Sequence, residues 1–115
     1  LGLCPEAGSS LLLPQLIGHV KAFELMVLGE TFSAEQALQY GIINQVCSAE
    51  QVISLGEKYA AKIAKLPQDA VLTSKKLLKQ TNQSNLANIS QLEAKEFVRL
   101  VQTPECKAIL NSFLT

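Results

Sequence analysis

The sequence predicts a mainly α-helical chain, with at most one short strand near residues 42–46. Three observations carry that reading. Apolar residues return with the 3.6-residue helical period through most of the 115 positions. Glycines and prolines cut this pattern into lengths typical of helices. Only the run Ile42-Ile43-Asn44-Gln45-Val46 is short, β-branched and bounded by a stop signal before it and a cap signal after it.

The elements follow in order. The first helix covers residues 11–17, capped by Ser9 or Ser10 and ended at Gly18. Alternatively it opens at Pro5, which leaves Glu6 in the favourable field of the N-terminus. A second helix over 19–28 presents Ala22, Phe23, Met26 and Val27 at helical spacing and stops at Gly29. Ser33 and Gln36, three apart, form a capping box that starts a third helix, stopped at Gly41. Ser48 with Gln51 reads as a second box. It opens a helix through residue 66 whose buried face is Val52, Leu55, Tyr59, Ile63 and Leu66, with Pro67 as its stop. Residues 68–80 make the fifth helix, 82–85 a turn and 86–101 the sixth helix. Pro104 breaks that helix, and 105–114 closes the count at seven. A lone strand at 42–46 would need a ladder partner from outside these residues.

Composition narrows the function classes. Ten acids balance ten bases, and charged residues make up only 17% of the chain while 48% are apolar. Zero net charge argues against non-specific nucleic-acid binding, and the apolar content argues against disorder. The low charge fraction implies that part of the surface is covered by something else. The charge is uneven: residues 1–56 carry five acids against Lys21 alone, net −4, and residues 57–115 are net +4. No run approaches the ~20 apolar residues of a membrane span. Cys4, Cys47 and Cys106 have neither CxxC spacing nor a histidine cluster, so they read as free, buried thiols rather than zinc ligands.

Chemistry has few carriers. His19 is the single histidine, and a surface or helix-start role is its default reading. Lys58, Lys62 and Lys65 read as one solvated helix stripe, or as a contact for an anionic ligand. Glu6 lies in Pro5-Glu6-Ala7-Gly8, between Leu1, Leu3 and Cys4 on one side and Leu11, Leu12 and Leu13 on the other. Apolar surroundings raise a carboxyl's pKa and so make its carboxylate a stronger base, as general-base work near neutral pH needs, whereas a helix N-terminus stabilises the anion and lowers the pKa. Both readings of Glu6, base or helix-start acid, stay open on residues alone. Gly8 would let backbone approach a ligand closely.

The stretch LGLCPEAGSSLLLPQLIGHVKAFELMVLGETFSAEQALQYGIINQV resembles the enoyl-CoA hydratase/isomerase (crotonase) family. Five motifs occur in order: LGL-x-P-x-x-G-S-S, L-P-x-L-I-G, A-x-E-L-x-x-x-G, F-S-A-E-x-A and Y-G-I-I-N-x-V. Downstream, Leu66-Pro67, Ser74-Lys75, the segment from Glu93 to Phe97 and Thr103-Pro104-Glu105 are also similar to that family. The resemblance implies that residues 1–115 are the helical C-terminal half of the α/β crotonase fold. The N-terminal ββα spiral half would then lie outside these residues, and the 115 residues alone would be inactive.

Pro5-Glu6-Ala7-Gly8-Ser9-Ser10 looks most like the Δ3,Δ2-enoyl-CoA isomerase branch. In that branch an acid at the position of Glu6 is the catalytic base, moving a proton from carbon 2 to carbon 4 of a 3-enoyl-CoA in fatty-acid oxidation. The resemblance places Leu3, Pro5, Ala7 and Gly8 in substrate binding and calls for no metal or redox cofactor, coenzyme A being part of the substrate. It further implies a homo-trimer or hexamer assembled through the helical region, with an acyl-CoA as ligand and neither nucleic acid nor membrane as partner. A cytoplasmic setting is expected, or a mitochondrial or peroxisomal one in a eukaryote. Hydration, the rival activity, is associated in the family with two glutamates upstream of Leu1. A non-catalytic oligomerisation or acyl-CoA-binding module is the other rival. The family's oxyanion-hole donors are likewise expected on upstream loops.

Overall fold

The computed structural model describes residues 1–80 and 82–113. Among them are seven α-helices: α1 Ser9–Ile17, α2 His19–Leu28, α3 Ala34–Gln39, α4 Val52–Ala64, α5 Gln68–Gln80, α6 Gln83–Val101 and α7 Pro104–Ser112. A 3-10 turn, Ala49–Gln51, precedes α4. The mainly α fold class expected from periodicity holds. The backbone separates into two compact units, Leu1–Thr31 with Ser84–Thr115 and, independently, Phe32–Gln83.

In the first unit α1 packs on α2. Gly18 joins them without a loop: its N–H donates to the Pro14 carbonyl at 3.0 Å, and its own carbonyl accepts from Ala22 at 3.1 Å. Ala22 is buried beneath this corner. α7 starts as its sequence dictates, with Pro104 in the first turn and the Thr103 hydroxyl oxygen accepting the Cys106 N–H at 3.3 Å. Cys106 is wholly buried, with the Gly2 backbone against its Cα. Cys4, Cys47 and Cys106 are all free thiols, and Cys4 and Cys47 are half-buried.

In the second unit the Ser33 capping box forms completely, with Gln36 N–H donating to the Ser33 hydroxyl at 3.2 Å and Ser33 N–H to the Gln36 side chain at 2.8 Å. α3 ends in a Schellman motif. Gly41, at φ 75°, donates to Leu38, and Ile42 donates to Ala37 at 2.9 Å. That motif consumes the first amide of the expected strand. Residues 42–46 are irregular, and no β-strand occurs among the described residues. A β-branched run without a neighbouring strand has nothing to satisfy its ladder groups.

The helix expected to run through residue 66 ends at Ala64, and two further boundaries differ from expectation. Ser48 makes no capping bond to Gln51; its hydroxyl instead joins Glu50's own backbone N–H in holding the exposed Glu50 carboxyl below its ordinary value. The turn at 82–85 is shorter than expected, because α6 already begins at Gln83. α7 is assigned to Ser112, and position 114, where the last helix was expected to end, lies outside the described residues.

Candidate active site at the start of α1

The segment that carries Glu6 turns sharply into α1. Ala7 at φ 57° and Gly8 at φ 78° are consecutive left-handed residues, and Ser9 N–H closes the turn on the Glu6 carbonyl at 3.0 Å. Glycine suits the second position, while Ala7 occupies the first against its own steric preference. Gly8 is also buried: a Cβ there would collide with the Leu86 side chain of α6, and Ser90 lies beside it.

Neither sequence-based account of this helix start holds. Pro5 and Glu6 precede α1 rather than begin it. Gly8 is the N-cap residue and has no side chain to offer, and neither Ser9 nor Ser10 is the cap. The orphaned amides are satisfied from 83 and 85 residues away. Glu93, on α6, accepts the Gly8 N–H on Oε2 at 2.6 Å and the Ser10 N–H on Oε1 at 2.9 Å. The Ser10 hydroxyl donates to the same Oε1. The Cys4 thiol meets the Glu93 main-chain carbonyl at 3.8 Å.

Glu93 is 7% exposed. Burial by itself pushes its carboxyl up, but the Ser10 hydroxyl and the Ser10 and Gly8 amides outweigh burial and hold it below its ordinary value. It is an anion seated on the positive end of α1, in the manner expected of acids at helix N-termini. Sequence reasoning gave Glu93 no role. One signal was available: Glu93 lies on the same stripe of α6 as Leu86, Ile89, Phe97 and Leu100, a largely apolar, half-buried face. An acid on a buried stripe requires partners.

Glu6 contrasts with it. Its side chain is exposed and makes no hydrogen bond or ion pair among the described residues. Of the residues expected to bind substrate, Leu3 and Pro5 are half-buried, Ala7 is exposed and Gly8 is buried. Pro5 also lines a cavity of about 170 Å³ with Ser10, Pro14, Phe23 and Met26. That space is too small for a ligand pocket of the usual ~300 Å³ or more. The Gly8, Ser9 and Ser10 amides are all engaged, so none of these three N–H groups is open to an oxyanion.

Other candidates gather no chemistry. His19 is exposed at the first position of α2, with its ring 6.2 Å from that of Phe23. Lys58 and Lys62 are exposed on α4 and Lys65 just beyond it, with Lys62 over the Tyr59 ring at 5.5 Å. In the second unit an open apolar groove of about 640 Å³ runs along Leu66, Ala70, Val71 and Leu78, edged by Lys75 and Lys79, with no acid or histidine in its lining. Among the described residues no three His, Cys, Asp or Glu side chains come together, and no helix is long and apolar enough to cross a membrane.

A family model described as enoyl-CoA hydratase/isomerase matches residues 1–115. The chain is 33% identical over 93 residues to a trans-2-decenoyl-[acyl-carrier-protein] isomerase of Streptococcus mutans, covering 81% of this chain and 34% of that protein. It is 32% identical over 113 residues to a short-chain-enoyl-CoA hydratase of Clostridioides difficile, covering 98% of this chain and 73% of that one. Among solved structures, an enoyl-CoA hydratase/isomerase from Pseudoalteromonas atlantica superposes with a TM-score of 0.93 at 31% identity, covering 98% of this chain and 46% of its own. The chain thus spans about a third of the Streptococcus relative and under half of the Pseudoalteromonas protein.

Proposed function

The chain belongs to the enoyl-CoA hydratase/isomerase family, and from that premise we propose that it is the helical C-terminal portion of an enoyl-CoA isomerase in which Glu6 shuttles the proton. One observation carries this reading. Of the two acids at the start of α1, Glu93 is buried and committed to three donors, while Glu6 stands exposed and unpaired beside it in the turn. A general base must have a carboxylate free to take a proton.

In the reaction, the Glu6 carboxylate removes a proton from carbon 2 of a 3-enoyl thioester. The C–H electron pair forms the C1–C2 double bond of a dienolate, and the thioester oxygen takes the negative charge. The protonated Glu6 then returns the proton to carbon 4. The C3–C4 π pair takes that proton as the new C4–H bond, the C1–C2 pair moves to C2–C3 and the oxygen's pair restores the C1–O double bond, giving the 2-trans-enoyl thioester. Nothing is oxidised or reduced, and no metal or redox cofactor enters; coenzyme A is part of the substrate. The enolate oxygen needs N–H donors, worth roughly 3–4 kcal/mol each. The occupied amides of α1 leave that duty to other parts of the protein. Leu3, Pro5 and Ala7 are the substrate-facing residues of the turn, and Gly8 contributes by letting the backbone turn beneath them, its own N–H and carbonyl being committed to Glu93 and to α1.

In the natural gene product that carries this sequence, Glu6→Gln is expected to lower kcat on a 3-enoyl-CoA about 10²–10⁴-fold, the usual contribution of a positioned acid–base group. KM and the melting curve stay near wild type. Retention of kcat sinks the assignment of Glu6. Hydration of a 2-enoyl-CoA is the second reading, favoured by the similarity to the Clostridioides hydratase. A 3-hydroxyacyl product without double-bond migration would put it first. We also propose assembly as a homo-trimer or hexamer through the helical region. The exposed apolar residues Val20, Phe23 and Val27 of α2 and Leu72 and Leu78 of α5 support it, and sedimentation velocity tests it.

A further inference from the structure

We propose that Glu93 is the positioning residue for Glu6: from α6 it locks the turn over residues 6–10 and so holds the backbone that carries the Glu6 carboxylate in one place. The inference rests on the reading of Glu6 as base and adds a residue that acts through it.

The turn cannot hold itself. Ala7, a non-glycine, sits at φ 57°, a conformation that persists only where the surroundings over-determine it. The N-cap residue of α1 is Gly8, so the usual side-chain acceptor for the first amides is missing. Glu93 supplies both acceptors at once. Oε2 takes Gly8 N–H and Oε1 takes Ser10 N–H, so the carboxylate plane fixes the rotation of the α1 start as well as its position. The Ser10 hydroxyl on Oε1 adds a third bond, and Leu86 and Ser90, two turns and one turn before Glu93 on the same helix, close over Gly8. The Ser9 N–H then ties this clamped turn to the Glu6 carbonyl. A base displaced by about 1 Å loses on the order of 10²-fold in rate. Glutamine at position 93 keeps the size but turns an NH₂ toward one of the two amides.

The test compares the natural gene product with its Glu93→Gln variant by amide hydrogen exchange and by kinetics on a 3-enoyl-CoA. Exchange at Gly8 and Ser10 is expected to accelerate at least about 10-fold while the amides of α2 keep their rates. In the same variant kcat falls about 10–100-fold with KM within about twofold, the signature of a misplaced base rather than lost binding. Unchanged exchange overturns the proposal, and so does faster exchange with wild-type kcat. Should Glu93→Gln fail to fold, Ser10→Ala removes one donor from the same carboxylate. A several-fold loss of kcat at constant KM, restored by Ser10→Thr, is then expected, and an unchanged kcat overturns the proposal. If the unsubstituted protein does not turn over a 3-enoyl-CoA, the isomerase reading alone fails. Exchange at Gly8 and Ser10 in Glu93→Gln then decides the clamp by itself.

Discussion

The unit that holds Glu6 and the unit of α3 to α5 are built from the same material and held differently. In the first, a buried carboxylate, three donors and a wholly buried Cys106 bind segments more than 80 residues apart in sequence. In the second, order is local: a capping box, a Schellman motif, a 3-10 turn and two amphipathic helices none of whose residues is buried. Leu78 is 81% exposed there. Helical periodicity therefore fixes helices in both units. Only long-range polar contacts fix the geometry a reacting group needs, and they are concentrated where the candidate base sits.

Matched substitutions can break or sharpen this contrast. The largest difference is expected between Gly8→Ala and Gly41→Ala, since both glycines have left-handed φ. At Gly41 nothing lies within 4 Å of an added Cβ, so the cost is the backbone preference alone, roughly 1–2 kcal/mol. At Gly8 the Leu86 side chain must also move, bringing the total to about 2–5 kcal/mol. Urea midpoints of the two variants measure it. Equal losses would mean that the first unit is no tighter than the second.

Acid should come next. Burial raises the Glu93 carboxyl, but its hydrogen bonds bring the folded value below the unfolded one. The clamp's stabilisation is therefore complete above the range where an unfolded glutamate titrates, about pH 4.3, and is lost as pH falls through the lower folded value. Protection of the Gly8 and Ser10 amides, taken relative to the intrinsic exchange rate at each pH and followed downward from pH 6, should be lost in that acid window. In the second unit Glu35 and Glu50 are also held low, each first by its own backbone N–H and then by a nearby serine hydroxyl. Both are fully exposed, so α3 and α4 should show a weaker, salt-screened response. The smallest contrast is between two serines. Ser33→Ala removes a formed capping box and should cost about 1 kcal/mol, whereas Ser48→Ala removes no capping bond and should stay within about 0.5 kcal/mol. Thermal melts of the pair decide whether the two boxes differ as the structure has them.

Much of this was legible in the sequence because it is local. α5 spans the expected residues 68–80, α2 the expected 19–28, and the Ser33 box, the Thr103-Pro104 boundary and the glycine stops lie where short-range sterics and capping put them. The motifs that carry the family resemblance read correctly for the same reason, being short runs with fixed spacing. The run at 42–46 misled because β-branching states a preference for a ladder that the Schellman end of α3 and the missing neighbour withhold. The start of α1 misled because serine and glutamate next to a helix are good local caps, and nothing nearby says that a residue 85 positions away will do the work. The sequence alone thus determined the helices, their stops and Glu6 as the acid to watch. Tertiary structure alone decided that Glu93 holds the turn and leaves Glu6 free, because pairing a buried carboxylate with distant amides depends on which faces meet in space, and no local pattern encodes that.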